Sequence, residues 1–262
     1  MVKMTLVAGA LFSLCLAAVP AEATVDHTYV SGKGTDTGGC IDQATACRSF
    51  AYALTQTSAS GEIIVMDPAD YSPVTINKSI SIVAAAGGPA GIVVATGNAI
   101  TINAGGAIVN LRGLTLDGDG TASSGIVVVS ASAVTISDCF ARHFLTSGIY
   151  VSSIDAIENV SILNDVMNDD SSGLAISGDG EQWAFVTILN SVANNNGTGF
   201  SVSGATVTFA GSMATGNSQY GILIGPVTSD GSRSLVNSYG DNEINGNGTN
   251  VSGGTLTAVA KQ

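Results

Sequence analysis

Apolar and polar residues alternate in a short phrase that recurs along the middle of the chain. The phrase is a glycine followed by three residues, of which the first and third are apolar. Its copies are Gly125-Ile-Val-Val, Gly148-Ile-Tyr-Val, Gly173-Leu-Ala-Ile, Gly199-Phe-Ser-Val and Gly221-Ile-Leu-Ile. Successive glycines lie 23, 25, 26 and 22 residues apart, and Gly91-Ile-Val-Val has the form of an earlier copy. Repeats of this period bury their apolar side by stacking, so the spacing predicts a solenoid.

A second phrase of the type Val-Thr-Ile recurs between the copies of the first. Its copies begin at Val134, Val160, Val186 and Val207. Successive side chains of a strand point to opposite faces, so the first and third residues of a triplet would point inward. After the glycines these positions form two apolar columns, Ile126, Ile149, Leu174, Phe200, Ile222 and Val128, Val151, Ile176, Val202, Ile224. We therefore predict an all-β solenoid with two strands per turn and a Ser- and Thr-rich outer face.

Asparagine stands at a predicted corner of the solenoid after two copies of the second phrase. Asn164 and Asn190 lie two places after Ile162 and Ile188, where the chain must bend into the next side of the coil. Asparagine tolerates such corners, and its amide can hydrogen-bond to the backbone and to an asparagine one turn away.

The segment before the repeats predicts a cap for the solenoid. Cys40 and Cys47 enclose six residues, and in an oxidising compartment we expect a disulfide between them, with two free thiols as the alternative. Apolar residues at helical spacing predict a helix between Arg48 and about Thr57. The first coil of a solenoid exposes its apolar cross-section and open strand edges, so we expect this helix to cover them. With that end covered, we expect a monomer.

Residues 1–23 have the pattern of a secretory signal peptide. Lys3 supplies the positive charge, Leu6–Val19 the apolar core and Ala21–Ala23 an Ala-x-Ala cleavage site. The apolar run is shorter than the ~20 residues that a membrane span needs, and no later stretch is long and apolar enough to span. We expect a protein that is secreted, periplasmic or at the cell surface after cleavage near Ala23.

The chain is acidic, with a formal net charge of -12 at pH 7. Phosphate binding depends on clustered Lys and Arg, so this charge argues against nucleic acid and anionic membrane surfaces as partners. It also disfavours anionic polysaccharides unless a cation bridges the two. A hydrophobic fraction of 45% and the periodicity argue against disorder.

Further motifs follow one another along the chain. They are Cys40 to Cys47, Arg48-Ser-Phe, Asp67 to Tyr71, Val74-Thr-Ile-Asn-Lys-Ser-Ile-Ser-Ile, Leu111-Arg-Gly-Leu-Thr-Leu and Ser238-Tyr-Gly-Asp-Asn-Glu-Ile-Asn-Gly-Asn. With the repeats, they resemble a group of exported bacterial β-helix repeat proteins of the pectate-lyase-like superfold. The resemblance spans nearly the whole mature chain and implies a right-handed parallel β-helix. That group has no settled activity, so the resemblance implies fold and export more than a reaction.

We expect one domain built from four segments. They are a signal peptide at 1–23, a disulfide loop and capping helix at 24–60, a parallel β-helix at 61–238 and a C-terminal cap and tail at 239–262.

Enzymes of the resembled superfold cleave polysaccharides, so clustered acids and bases are of interest. Aligning the copies of the second phrase places His143 beside Asp169 on neighbouring turns, which lie ~4.8 Å apart. The candidate catalytic patch consists of Arg142, His143, Asp169 and Asp170. The Arg would hold a carboxylate and the His would transfer a proton.

The same region contains candidate metal ligands. Asp165, Asp169 and Asp170 could supply carboxylates to a divalent ion, for which calcium is the candidate. The alternative is a solvated corner where turn residues satisfy the backbone and Arg142 pairs loosely with Asp169.

Two aromatic residues are candidates for sugar contact. Tyr150 would lie on the outer face and Trp183 in a loop, where both could stack on sugar rings. Asp117-Gly-Asp-Gly resembles the start of a calcium loop, but the residues after it lack the ligands of an EF-hand and favour a plain turn.

Three classes of function remain open. The first is binding of an extracellular or cell-surface polysaccharide by the outer face of Ser, Thr and Asn. The second is a polysaccharide lyase or related enzyme that uses the patch around His143, and the third is a non-catalytic structural or adhesive surface protein. Saturable glycan binding separates the first from the third, and new chain ends in the glycan would single out the second.

Overall fold

The computed structural model describes residues 25–84, 90–153, 157–178, 185–225 and 234–260. The predicted signal peptide, residues 1–23, and the candidate sugar ligand Trp183 lie outside these ranges.

The chain winds as a parallel β-solenoid whose strands form three sheets, and each strand pairs in parallel with its equivalent one turn away. Sheet 1 contains β1 (Val25–Val30), β2 (Thr57–Val65), β4 (Ile80–Ala84), β7 (Ile108–Arg112), β12 (Ile157–Leu163), β15 (Phe185–Leu189), β18 (Thr206–Ala210), β21 (Leu235–Ser238) and β24 (Thr257–Ala258). Sheet 2 contains β5 (Ala90–Val93), β8 (Leu114–Asp117), β10 (Phe140–Arg142), β13 (Val166–Asn168), β16 (Val192–Asn194), β19 (Met213–Thr215) and β22 (Glu243–Asn245). Sheet 3 contains β3 (Val74–Ile76), β6 (Asn98–Asn103), β11 (Ser147–Ser153), β14 (Ser172–Gly178), β17 (Thr198–Ser203), β20 (Tyr220–Ile224) and β23 (Thr249–Ser252). The long strand β9 (Ser124–Ser137) belongs to sheet 3 at its start and to sheet 1 at its end.

The predicted inward columns are confirmed. Ile126, Ile149 and Leu174 are register partners in sheet 3, and the column continues through Phe200 and Ile222. All members of both columns are buried. The second phrase forms sheet 1 with the same alternation. An all-β parallel solenoid with a short helix near its N-terminus is therefore the fold.

The prediction of two strands per turn is wrong, because sheet 2 adds a third. Most of its strands are three residues long and point one residue inward, such as Ala141 or Ala193. A single inward residue has no periodicity that a sequence pattern could show. The segment Gly91-Ile-Val-Val also belongs to sheet 2, where Gly91 pairs with Thr115, and so is not an early copy of the glycine phrase in sheet 3.

A short helix, α1 (Phe50–Gln56), covers the N-terminal end of the stack. Ser49 caps it by accepting a hydrogen bond from the N–H of Tyr52, and Phe50 and Leu54 are buried in the core. At the other end of α1 the ammonium of Lys78 donates to the carbonyls of Leu54 and Thr57, which lack helical partners there. No helix within the described ranges is long and apolar enough to cross a membrane.

The predicted disulfide between Cys40 and Cys47 is present, with the two Cα atoms 5.3 Å apart. The loop it closes lies along β1, since the N–H of Cys47 donates to the carbonyl of Tyr29 at 2.8 Å. Asp36, which precedes this loop, accepts the N–H of Arg48 at 2.8 Å and the hydroxyl of the helix cap Ser49 at 2.7 Å. The bridge therefore ties the cap to the first strand.

Within the described residues, strands occur on both sides of the segment 61–238 that was expected to form the β-helix. β1 pairs with β2 and begins sheet 1. In the segment 239–262, expected as a cap and tail, β22, β23 and β24 continue the three sheets by one more strand each.

A ladder of hydrogen bonds runs through the corner between sheets 2 and 3. In four successive turns a buried or half-buried side-chain oxygen accepts the backbone N–H of the equivalent residue one turn earlier, at 2.8 to 3.0 Å. The acceptors, named here the amide ladder, are Asp170, Asn196, Asn217 and Asn247. The three asparagines also donate Nδ2 to backbone carbonyls of the preceding turn, as Asn196 does to Met167 at 3.0 Å.

A similar ladder runs through the corner between sheets 1 and 2. The N–H of Cys139 donates to Asp165, and the next turns repeat the contact with Ser191, Ser212 and Asn242 as acceptors. Outside it, the predicted contact between corner asparagines is confirmed, because Asn190 donates to Asn164 at 3.4 Å. Both asparagines have positive φ, as such corners require.

The amide ladder explains the recurring glycine of the first phrase. A Cβ added at Gly199 would lie 2.8 Å from Nδ2 of Asn217 and 2.6 Å from the carbonyl oxygen of Gly221. Equivalent close approaches of ladder atoms occur at Gly148, Gly173 and Gly221. Only glycine leaves room for the ladder amide beside the strand.

We expect Gly199→Ala to lower the free energy of unfolding by about 1 to 3 kcal/mol, because the new methyl group meets atoms held by backbone and hydrogen bonds. Denaturant unfolding of the purified protein measures the change. Gly105→Ala is the matched control, since its Cβ would meet only the Ser130 hydroxyl, at 3.2 Å. Equal effects of the two substitutions would contradict the steric explanation.

Candidate functional site

A cluster of charged side chains, named here the Asp117 cluster, lies on sheet 2 and the corner that follows it. Asp117 ends β8, Arg142 ends β10 as its register partner, and His143 follows Arg142 with a φ of 61°. Nε of Arg142 donates to Oδ2 of Asp117 at 2.7 Å, and Nδ1 of His143 lies 3.0 Å from Oδ1. One carboxylate thus holds both bases.

The electrostatics of Asp117 favour its charged form. Burial acts to raise the pKa of its carboxyl, but hydrogen bonds from the N–H of Asp119, from His143 and from Arg142 together lower that pKa below its usual value. Arg142 also lies 5.7 Å from the ring centre of Phe140. A carboxylate bonded to Nδ1 of a histidine orients the ring and leaves Nε2 as the atom for proton exchange.

The structure brings together only part of the predicted catalytic patch. Arg142 and His143 are neighbours, but their carboxylate partner is Asp117; the loose pairing of Arg142 with Asp169, which belonged to the alternative of a solvated corner, is not among the ion pairs of the described residues. Asp169 is exposed at the corner with a φ of 59°. Asp170 is buried and faces inward as the first member of the amide ladder.

The predicted metal ligands are separated by the fold. Asp165 enters β13 from the corner with sheet 1, where its two oxygens accept the N–H groups of Cys139 and Leu163. Asp170 leaves the same strand at the opposite corner. Across the described residues, no group of three or more His, Cys, Asp and Glu side chains is placed to hold a metal ion. The arrangement therefore gives no structural support to a calcium site at Asp165, Asp169 and Asp170.

Asp170 takes the place of an asparagine in the amide ladder. Its Oδ2 lies 2.6 Å from a Cβ built at Gly148, as Nδ2 of Asn247 does from one at Gly221. Where the asparagine has a donor, Asp170 has an oxygen that is buried and without a hydrogen-bond partner. Burial first, and the charges of Asp169 and Asp117 in addition, raise the pKa of Asp170 to about 7 against the N–H of Phe144. Below that pH the protonated carboxyl has an O–H to donate, as the amide does.

The outer face of sheet 1 carries a straight column of hydroxyl and amide side chains. They are register partners on successive turns, and the set, named here the hydroxyl column, is Thr135, Ser161, Thr187, Thr208 and Asn237. Within the described residues the hydroxyls of the first four have no hydrogen-bond partner, and all four are exposed or half-buried.

Uncharged residues flank the hydroxyl column on both sides. One flank is Ala133, Asn159, Phe185, Thr206 and Leu235, and the other begins with Ser137, Leu163, Leu189 and Ala210. Phe185 is 56% exposed and Leu235 is 41% exposed. Tyr150, the predicted sugar contact, lies on the outer face of sheet 3 and is half-buried beside Val127 and Ala175.

Comparison with known proteins shows the fold. A solved structure titled "Crystal structure of pectate lyase Pel9A" superposes with a TM-score of 0.51 and 15% sequence identity, covering 92% of this chain and 80% of that chain. No protein-family model and no curated protein matches the sequence. At this identity the likeness extends to the architecture and not to individual residues.

Sequence reasoning missed Asp117 as a partner of Arg142 and His143. The sequence around Asp117 predicted a plain turn, and the N–H of Asp119 does donate to Oδ1 of Asp117 at 3.0 Å, as in such a turn. The signal that could have found it is the repeat length, since Arg142 lies 25 residues further along the chain.

We expect stability to fall as pH rises, with Asp170 as one cause. The pKa of its carboxyl is 3.8 when unfolded and about 7 when folded, so the folded state binds the proton more tightly. The free energy of unfolding therefore decreases between about pH 4 and pH 7 and is level above that range. Asp165, whose pKa burial also raises to about 7, acts in the same direction.

Asp170→Asn should stabilise the protein at pH 8 by about 1 to 3 kcal/mol, because an amide donor replaces an unpaired buried oxygen. It should also flatten the dependence on pH, measured as melting temperature from pH 4 to 8. Asp169→Asn, which removes the same charge from an exposed site, serves as control. A destabilised Asp170→Asn variant at pH 8 would show that Oδ2 is not placed as the ladder indicates.

Proposed function

We propose that this protein is an exported polysaccharide-binding protein and that the outer face of sheet 1 is its binding surface. The observation that carries the proposal is the hydroxyl column, whose side chains on successive turns are without partners inside the described structure. Each hydroxyl can donate one hydrogen bond and accept two. The column can therefore both donate hydrogen bonds to the hydroxyl groups of a sugar and accept hydrogen bonds from them.

The spacing of the column suits a polymer. Parallel strands repeat every ~4.8 Å, so each turn presents one further polar group along a straight line. A ligand that itself repeats can use several of these groups at once, and several weak contacts then add to a useful affinity. A small ligand would contact one or two turns only.

The flanks of the column supply apolar contact. Phe185 and Leu235 are more than one third exposed on the same face, two residues from the polar column. Sugar rings have apolar C–H faces that pack on such side chains while their hydroxyls bond to neighbouring polar groups.

The charge of the molecule favours neutral polysaccharides. The chain has a formal net charge of -12, and the hydroxyl column and its two flanks contain no charged residue between β9 and β21 at the register positions named above. Arg112, on the preceding turn of the same face, is paired with Asp138, and the named positions from β9 to β21 contain no Lys or Arg to compensate the charge of a polyuronate. The pectate lyase of the similar solved structure is thus a guide to architecture and not to the sugar.

Retention on a panel of polysaccharides tests the proposal, with galactomannan, xyloglucan, laminarin and dextran as neutral probes and polygalacturonate as the acidic one. We expect retention on at least one neutral polymer. Thr187→Val, which removes a hydroxyl without changing shape, and Phe185→Ala should each weaken it about threefold to tenfold. Affinity electrophoresis of the full chain measures the effect.

Matched controls come from sheet 2. Thr115→Val and Val93→Ala make the same kinds of change on another outer face, and retention should be unchanged. No retention on any polymer would overturn the proposal and leave a structural or adhesive role. Equal losses in control and test variants would show that sheet 1 is not the surface.

A polysaccharide lyase or related enzyme is the second candidate function, and the Asp117 cluster is the observation that favours it. Nδ1 of His143 is held by Asp117 at 3.0 Å, and Nε2 can act as a base. The guanidinium of Arg142 is fixed beside it through Nε, so its remaining N–H groups can face an acidic sugar.

If this candidate is correct, incubation with polygalacturonate or another acidic polymer should yield new chain ends. His143→Gln should then lower the rate at least about a hundredfold, as loss of a general base does. His27→Gln, a change at the other histidine of the chain, should have no effect. Loss of activity in both variants, or in neither, would remove His143 from the reaction.

A further inference from the structure

A cavity opens where sheets 1 and 2 meet near the C-terminal end of the stack. It has a volume of about 840 Å³ and is lined by Leu189, Asn190, Ala210, Tyr239, Asp241, Val259 and Ala260. This cavity is named here the end notch. It is contiguous with the outer face of sheet 1, because Leu189 and Ala210 belong to the flank of the hydroxyl column.

The end notch exists because one turn has the small residue Ala210 where the two preceding turns have leucine. Leu163, Leu189 and Ala210 are register partners on successive turns, and Tyr239 follows β21 on the next turn. At this position Leu163 and Leu189 are thus followed by the methyl group of Ala210 and then by the ring of Tyr239. A gap one turn deep remains between Leu189 and the Tyr239 ring.

An inserted residue builds the far wall of the notch. Met213 follows Phe209 by four positions, whereas Glu243 follows Ser238 by five, although both pairs are in register. The extra residue falls in the corner Gly240–Asp241, where Gly240 has a φ of 78°. The corner is therefore longer than those of earlier turns and brings Asp241 to the cavity.

Asn190, on the side of the notch formed by Leu189, has a side-chain oxygen without a hydrogen-bond donor among the described residues. Nδ2 of Asn190 donates to Asn164, but Oδ1 of Asn190 has no donor among the described residues. This oxygen lies 2.5 Å from the place where a Cβ would stand at Gly211. Asp138, Asn164 and Asn190 form a row of hydrogen-bonded corner side chains on successive turns. The row ends at Asn190, because Gly211 on the next turn has no side chain.

We propose that the end notch is a subsite for one pyranose ring of a neutral polysaccharide bound on sheet 1. The ring stacks on Tyr239, which is 38% exposed, and contacts Leu189 on the opposite wall. Its hydroxyls donate to Oδ1 of Asn190 and to the carboxylate of Asp241. This inference rests on the proposed function and adds a position on the surface where the polymer is held most firmly.

The chemistry of the lining selects a sugar over other ligands. An aromatic ring and an aliphatic side chain face each other across the gap, and oxygen acceptors stand at its edge. The described lining contains no Lys or Arg, and its charged residue, Asp241, is acidic, so this lining offers no cation to a phosphate or carboxylate ligand. A neutral, hydroxyl-rich ring with apolar C–H faces matches both parts.

Two substitutions test the inference on the neutral polymer that retains the wild-type protein. Tyr239→Ala removes the stacking surface. Ala210→Leu fills the notch with the side chain that the two preceding turns, at Leu163 and Leu189, have at the same position of the flank. Each should raise the dissociation constant about tenfold. Tyr239→Phe keeps the ring and should stay within about twofold of the wild-type protein.

Affinity electrophoresis gives the dissociation constants, and melting temperatures show that each variant is folded. Weaker binding by both Tyr239→Ala and Ala210→Leu, with Val93→Ala unchanged, supports the subsite. Unchanged binding by these two variants while Thr187→Val is weakened overturns the subsite and leaves the proposed function standing. Absence of retention by the wild-type protein on every neutral polymer overturns both.

Discussion

Each turn of the solenoid has corners where the backbone leaves one sheet for the next, and the N–H groups there have no strand partner. Side-chain oxygens from the following turn accept them, as Asp165 does for Cys139 and Asp170 for Phe144. A buried N–H without an acceptor costs about 1 to 3 kcal/mol. From the turn of Cys139 and Phe144 onward, the stack therefore depends on one polar residue at each of these corners, and apolar side chains fill the space between them.

The parts of the fold that were predictable are those that repeat with a period. The inward columns of sheets 1 and 3 alternate every second residue, and the corner asparagines recur with the turns. Most strands of sheet 2 have one inward residue, such as Ala141, so no pattern revealed this sheet. The candidate site was predicted only in part, because the partner of His143 comes from the preceding turn and the buried role of Asp170 depends on a three-dimensional corner.

The acidic residues of the chain serve the architecture more than a metal site. Asp165 and Asp170 are ladder members, Asp117 is bonded to two bases, and Asp67 accepts the hydroxyls of Ser31, just after β1, and of Tyr71. Several of the motifs on which the resemblance to β-helix repeat proteins was argued lie in the cap or against it, as where Arg48 contacts the ring of Tyr71 and the carbonyl of Asp70. Because these residues lie at the N-terminal end of the solenoid, a resemblance that depends on them indicates a similar start of the fold and not a similar binding surface. The surfaces available for recognition are the outer faces further along.

The ladders also make the molecule modular. Every contact joins a turn to its neighbour in the same register, so gain or loss of one complete repeat leaves the remaining contacts unchanged. The hydroxyl column would lengthen or shorten by ~4.8 Å with each such step. Duplication of a single gene segment could thus change the reach of this face on an extended ligand while the core, the corners and the cap stay as they are.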